Sequence, residues 1–378
     1  MKKVEIMSIA VFIVTLLIMG INMFIRPLSD WLVRVDGIVM LISAAVVVYM
    51  AVQSHNEKIM TEAGRNMAGG TLSRPDQAAY SAQCFNERER IMHFIDVCVA
   101  SAFSKNNRGG NQAGVVLQGA SLNRKEKMRT AHQLGYSETA FLSQSELADY
   151  KLEYFTPTGE VPLCGHATIA AFVVLNYFGQ LKKCEYTIET KSGILSIAVK
   201  DGGVIFMQQN TPEFYETLEL ADVVDCLGFN ADTAPGNLPV QIVSTGLRDI
   251  IVPVENPLVL ETMVPDFAAV SKLSQKWNCV GIHAFSLVED GKLTAVCRNF
   301  APLYGIDEES ATGTSCCALA CYLYQYGVKR NQYVFEQGHS LNRISELYVS
   351  VNAGDDTVDG VWIGGCGYLE SLKTIEVE

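Results

Sequence analysis

Residues 165–179 and 313–327 are two stretches without a single charged side chain, each opening and closing on glycine with the same spacing. In both, small residues come early and large apolar ones late. The closing glycine is a helix stop, since glycine readily takes the left-handed backbone that ends a helix. A helix apolar on every side has to be enclosed by protein or by lipid. At this length it covers about 20 Å, short of the roughly 30 Å of a bilayer core, so enclosure by a sheet is expected. The stretches lie 148 residues apart, about one lobe's length. They predict an α+β chain of two pseudo-duplicated lobes, each a curled, barrel-like mixed β-sheet around one central buried helix.

The rest of the pattern alternates. Residues 94–100 and 114–117 are apolar and β-prone, and residues 123–134 form a charged amphipathic segment with a helical look. Residues 151–156 put Leu152, Tyr154 and Thr156 on one face, as a half-buried strand does. Chemistry enters at the helix starts, because the first N–H groups of a buried helix lack intrahelical partners and form a ready anion site. Both starts combine glycine with histidine or small hydroxyl residues: Gly165-His166-Ala167-Thr168 and Gly313-Thr314-Ser315. Two readings stand. Either the two termini grip a carboxylated small molecule across a cleft, or Thr168, Thr314 and Ser315 simply cap their helices.

Charge is unevenly spread. The chain has 378 residues with 29 Lys+Arg and 41 Asp+Glu, yet its first sixty residues carry +1 and the remaining 318 carry −13. That acidity excludes a nucleic-acid binder relying on a basic surface, and an apolar content of 49% excludes disorder. So long a remainder is expected to divide into two lobes around separate cores. Residues 6–25 and 37–55 are uncharged runs of bilayer-crossing length, joined by a connection that holds Trp31. They read as an α-helical transmembrane hairpin spanning residues 1–59. Lys2 and Lys3 precede it and Lys58, Arg65 and Arg74 follow it, against Arg26 and Arg34 in the connection. This bias predicts a two-pass membrane protein with both termini, and everything after the hairpin, on the cytoplasmic side. Residues 60–91 read as a linker. Eleven cysteines with no CxxC pair point to a reduced compartment and to no zinc site.

Five short motifs then occur in order: Gly110-Asn111-Gln112-Ala113-Gly114-Val115-Val116, Ser137-Glu138-Thr139-Ala140-Phe141, Phe155-Thr156-Pro157, Leu163-Cys164-Gly165-His166-Ala167-Thr168 and Glu309-Ser310-Ala311-Thr312-Gly313-Thr314. Supporting stretches are Ser244-Thr245-Gly246-Leu247-Arg248-Asp249 and Arg298-Asn299-Phe300-Ala301-Pro302. From about Met92 onward the chain resembles the phenazine-biosynthesis (PhzF-like) isomerase family, which has the diaminopimelate epimerase-like fold. The resemblance implies lobes over 92–205 and 206–365, with 366–378 returning to the first. It implies an isomerase that uses no metal and no organic cofactor, acts on a small carboxylated metabolite and forms a homodimer. The family's best-understood member isomerises a dihydro-hydroxyanthranilate by moving a proton between ring carbons. By resemblance Glu138 is the acid/base, and His166 and Glu309 complete the catalytic set. Asn111, Gly165, Ala167, Thr168, Gly313, Thr314 and Ser315 are then the substrate-binding positions.

Two departures bear on the substrate. The family commonly reads Asp-Pro-Ala-Thr-Gly-Ser where this chain has Glu309 to Thr314, so a carboxylate gains one methylene and a serine becomes threonine. Other members of the fold use two cysteines to invert a stereocentre. Cys164 falls at the first of those positions, but Thr312 occupies the second, and Cys164 reads instead as a small packing residue. A sensor module that binds without turnover, and an amino-acid epimerase, are the alternatives.

Overall fold

The computed structural model describes residues 93–354 and 357–377, within one compact unit, Ile91–Glu378. The hairpin expected over 6–25 and 37–55 and the linker over 60–91 lie outside the described residues. Among the described residues no helix is long and apolar enough to cross a membrane.

The first half runs β1 (His93–Ala102), β2 (Asn111–Val116), α1 (Arg124–Leu134), β3 (Thr139–Ser143), β4 (Tyr150–Phe155), β5 (Glu160–Val161), α2 (Gly165–Tyr177), β6 (Glu185–Thr190), β7 (Gly193–Val199) and β8 (Ile205–Gln209). The second opens with β9 (Glu213–Leu218), α3 (Leu220–Leu227), β10 (Val240–Ser244), β11 (Arg248–Pro253), α4 (Pro257–Thr262) and α5 (Phe267–Trp277). It continues through β12 (Gly281–Asp290), β13 (Leu293–Ala301), β14 (Ile306–Glu309), α6 (Gly313–Gln325), β15 (Gln332–Gln337), β16 (Ser345–Ala353), β17 (Val358–Gly365) and β18 (Gly367–Val377).

Strand pairing makes the internal symmetry explicit. In the first half β1–β2, β3–β4, β4–β5, β6–β7 and β7–β8 are antiparallel, while β2–β3 and β4–β6 are parallel. Adding nine to every strand number reproduces each pairing, with its direction, from β10 to β17. The equivalent strands β8 and β17 pair with each other. β9 pairs with β10, and β18 returns to pair with β1 along its whole length. The result is one mixed sheet of eighteen strands. It curls so that α2 packs against β1, β2, β3, β8 and β18, and α6 against β10, β11, β16 and β17.

Local chemistry sets the helix limits. Asn123 and Glu126 form a capping box at the start of α1, and Gly135 ends it in the left-handed region. Residues 166–175 of α2 are all buried, as are residues 315–323 of α6. Gly179 and Gly327, at φ +63° and +101°, follow their C-termini. Instead of two separate cores, one apolar cluster runs through both central helices and both halves of the sheet. The two helices touch and β8 pairs with β17, so no solvent layer divides the halves. Smaller clusters fill the outer faces, one under α1 and one under α3–α5.

Phe172 sits at the middle of α2, fully buried and edge-on to Tyr150 and Tyr186. Phe172→Ala is expected to lower unfolding free energy by about 3–5 kcal/mol in denaturant titrations, because the enclosing sheet cannot collapse onto the void.

Candidate active site

Glu138 ends the loop before β3, held there by its carbonyl, which accepts from Gly114 N–H at 3.3 Å. Its Oε2 is 3.3 Å from His166 Nε2, with side-chain exposures of 17% and 8%. That oxygen is buried and makes no well-formed hydrogen bond with any described residue. His166 Nε2 also contacts Ser137 Oγ at 3.3 Å, and its Nδ1 lies 3.5 Å from the Cys164 sulfur. Cys164 therefore does more than pack, since it backs the imidazole. Burial, and after it the Glu138 charge, pushes the Cys164 thiol well above its ordinary range, so it stays protonated. One donor atom each from Glu138, Cys164 and His166 lies within 4.8 Å of the others, close enough in principle for a cation.

The second half reaches the same place from β14 and the start of α6. Burial raises the Glu309 carboxyl, the His166 imidazole lowers it and the Glu138 charge raises it again, which places all three groups in one electrostatic neighbourhood. Thr312 donates to Glu309 Oε2 at 2.8 Å. Gln337, fully buried, clamps this loop: its Nε2 donates to Glu309 O at 2.8 Å, and its Oε1 accepts from Thr312 N–H at 3.2 Å. Asn111 ties the halves together, donating to Ala311 O at 3.1 Å and hydrogen-bonding Glu309. Neither helix start is capped by its N-cap side chain, Cys164 in α2 or Thr312 in α6. The first-turn N–H groups around Gly165 and around Gly313–Thr314 therefore have no N-cap side-chain partner, and the helix dipoles make both starts electropositive.

With the geometry in view, the relatives can be set beside it. The sequence profile of the PhzC-PhzF family, phenazine biosynthesis-like protein, matches residues 100–371. The chain belongs to this family. It is 32% identical to the uncharacterized isomerase YfhB of Bacillus subtilis (strain 168), over 74% of this chain and 98% of that one. It is 27% identical to the trans-2,3-dihydro-3-hydroxyanthranilate isomerase of Pseudomonas aeruginosa, over 71% of this chain and 95% of that one. The crystal structure of a PhzF-family phenazine biosynthesis protein from Bacillus anthracis superposes with a TM-score of 0.71 at 30% identity. That comparison covers 76% of this chain and all of the other.

Among the positions named from the PhzF-like resemblance, Glu138, His166, Glu309, Asn111, Gly165, Gly313 and Thr314 gather at the two helix starts. Three others are committed inward. The Thr168 hydroxyl donates to Cys164 O at 2.7 Å and meets Tyr154 Oη at 2.6 Å. Ala167 is fully buried and its side chain is a methyl group. Ser315 donates to Asp249 Oδ2 at 2.7 Å. As side chains these three support the site and have no free group for a substrate. Thr314 is held through its carbonyl, which accepts from Thr245 Oγ1 at 3.1 Å.

Asp249, His283, Asn299 and Gln337 have no role in the sequence reading. Asp249 and Asn299 lie inside stretches that carry the family resemblance, and that was their only signal. Gln337 sits at the end of β15 and is brought to the site by tertiary pairing alone. Burial pushes Asp249 up to about 6, against the Ser315 hydrogen bond and the nearby His283, which lower it. Burial also opposes ionisation of Cys316, but hydrogen bonds from Cys297 and His283 bring its thiol down to about 6.

A carboxyl raised on folding holds its proton more tightly in the folded chain than in the unfolded one. The stability from Asp249 is therefore fully present below about pH 4 and is lost as pH rises towards about 6. Asp249→Asn is expected to remove that decline, worth up to about 3 kcal/mol. Denaturant midpoints across this pH range, in chelator-containing buffer, would show the flattened profile.

Proposed function

We propose that this chain is an isomerase that moves a proton on a small carboxylated metabolite by general acid/base catalysis, without metal or organic cofactor. One observation carries the reading: the Glu138 carboxylate oxygen, buried against His166 without a hydrogen bond, lies beside two uncapped helix starts. Glu138 takes a proton from a carbon adjacent to an unsaturated system and holds it as the carboxylic acid. The electron pair left behind is delocalised towards the substrate carboxylate, whose oxygens accept from backbone N–H groups at the two helix starts. Glu138 then returns the proton to another carbon of the same framework, so no group is gained or lost. His166 and Glu309 hold the substrate's polar groups, and Asn111 keeps Glu309 in register.

The relatives' names favour isomerisation, and the Pseudomonas aeruginosa relative is named for a dihydro-hydroxyanthranilate. Two-thiol epimerase chemistry is disfavoured, because Thr312 stands at the N-cap position of α6 where Cys164 stands in α2.

The acid/base role is tested by incubating the chain with candidate unsaturated carboxylates in deuterated water. Solvent deuterium is expected to enter the substrate carbon framework, and Glu138→Gln is expected to slow entry by about 10²–10⁴-fold. Exchange at the same rate in both chains would remove Glu138 from the mechanism. Tight binding without exchange would favour the sensor reading.

The same reading places the enzyme at a membrane, tethered through residues 6–25 and 37–55 with the catalytic unit on the cytoplasmic side; its support is the two uncharged runs and the flanking Lys and Arg bias. Reporter fusions at Gly69 are expected to be active only for a cytoplasmic reporter. Activity of an extracytoplasmic reporter would reverse the orientation.

A further inference from the structure

The inner face of the second half carries side chains that the proton transfer does not use. His283 on β12, Cys297 on β13 and Cys316 in the first turn of α6 each present one ligand atom, and the three atoms lie within 4.8 Å of one another. All three residues are buried. His283 Nε2 is 3.9 Å from the Cys316 sulfur. A tetrahedral zinc ion, with bonds of about 2.3 Å to sulfur and 2.0 Å to nitrogen, spaces its ligand atoms roughly 3.5–3.8 Å apart. Little movement separates the observed spacing from that one.

The neighbouring residues set the imidazole tautomer. Asn299 Nδ2 donates to His283 Nδ1 at 3.2 Å, so the imidazole proton lies on Nε2, facing the Cys316 sulfur, and ligation through Nε2 requires that proton to move to Nδ1 and the Asn299 amide to turn its Oδ1 towards it. Asn299 contacts Ser315 Oγ at 3.2 Å, and Ser315 donates to Asp249 at 2.7 Å. Gln337 Oε1, 3.9 Å from the Cys316 sulfur, offers an oxygen for a fourth position.

The internal symmetry supplies a control within the same chain. In the parallel pairs, Val115 opposite Ala140 corresponds to Ile251 opposite His283. Carried across the antiparallel neighbours, Tyr154 corresponds to Asn299 and Leu152 to Cys297. The helices start on matching glycines, so Thr168 corresponds to Cys316. The first half fills this layer with alanine, leucine and one Tyr–Thr hydrogen bond. A packing requirement alone is met there without imidazole or paired thiols.

We propose that His283, Cys297 and Cys316 form a buried site for a thiophilic cation of the zinc class, fastening the start of α6 to β12 and β13. The cysteines bind as thiolates, so loading releases protons and strengthens as pH rises. The ligands come from three separate elements, which is why no CxxC spacing announces them.

Cobalt(II) is the probe, because thiolate ligation gives it an intense near-ultraviolet charge-transfer band. The full chain, stripped by chelator under reducing anaerobic conditions, is expected to develop this band up to about one equivalent and to lose it to added zinc. The band should persist in Cys164→Ala and Cys184→Ser and vanish in Cys297→Ala and Cys316→Ala. His283→Gln should weaken cobalt affinity by at least about tenfold. A check free of variant folding uses the unaltered chain: zinc should raise its Tm, and chelator should reverse the shift. No cobalt band together with no Tm shift overturns the proposal. So does a band lost in Cys164→Ala but kept in Cys316→Ala, which would put the cation at the Glu138 cluster.

Discussion

The rest of the molecule depends on what a fully buried helix does with its first turn of N–H groups. Water cannot reach them from most directions, and in α2 and α6 the N-cap side chains do not accept from them. Left alone, such donors cost free energy; offered to a carboxylate, they become a binding site that needs no cation. The eighteen-stranded sheet is the enclosure that this arrangement requires. Its curl around both helices buries their sides and leaves the two starts on common ground with Glu138, His166 and Glu309. Strongly acidic balance is therefore no argument against an anionic ligand, because the local field at a helix start outweighs bulk charge at contact distance.

The two halves have the same strand plan and different interiors. In one, the layer under the helix start is Ala113, Ala140, Leu152, Tyr154 and Thr168; in the other it is Asp249, His283, Cys297, Asn299 and Cys316. The Glu138–His166 pair sits in the apolar half, while the second half contributes the Glu309–Thr312–Gln337 clamp. Symmetry of backbone goes with asymmetry of chemistry: one half presents the Glu138 carboxylate, and the other fixes the loop that carries Glu309.

Much of this was legible in the sequence. The charge-free, glycine-bounded stretches could only be enclosed helices, and their equal spacing carried the duplication. Glu138, His166 and Glu309 were marked by motif. The burial of Thr168 and Ser315 was not legible, because a small hydroxyl residue beside a helix start reads the same whether it turns to a ligand or to a neighbouring strand. Gln337 left no local trace, since what brings it to Thr312 is the pairing of β15 with β13. The single core was missed for a related reason: length argues for two cores, and only the β8–β17 pairing and the contact of the two helices merge them.

The pairing of β1 with β18 has a consequence for how the chain comes to be folded. His93 pairs with Val377 and Ala102 with Gly367, so the strand that opens the described fold finds its partner only after nearly three hundred residues have been made. Closing so large a loop is entropically slow, and until it happens one edge of β1 is exposed and prone to join other chains. The first half cannot be finished as it emerges, although its helix and Glu138 are already present. Completion of the first half and of the second are one event, set by the arrival of the last strand.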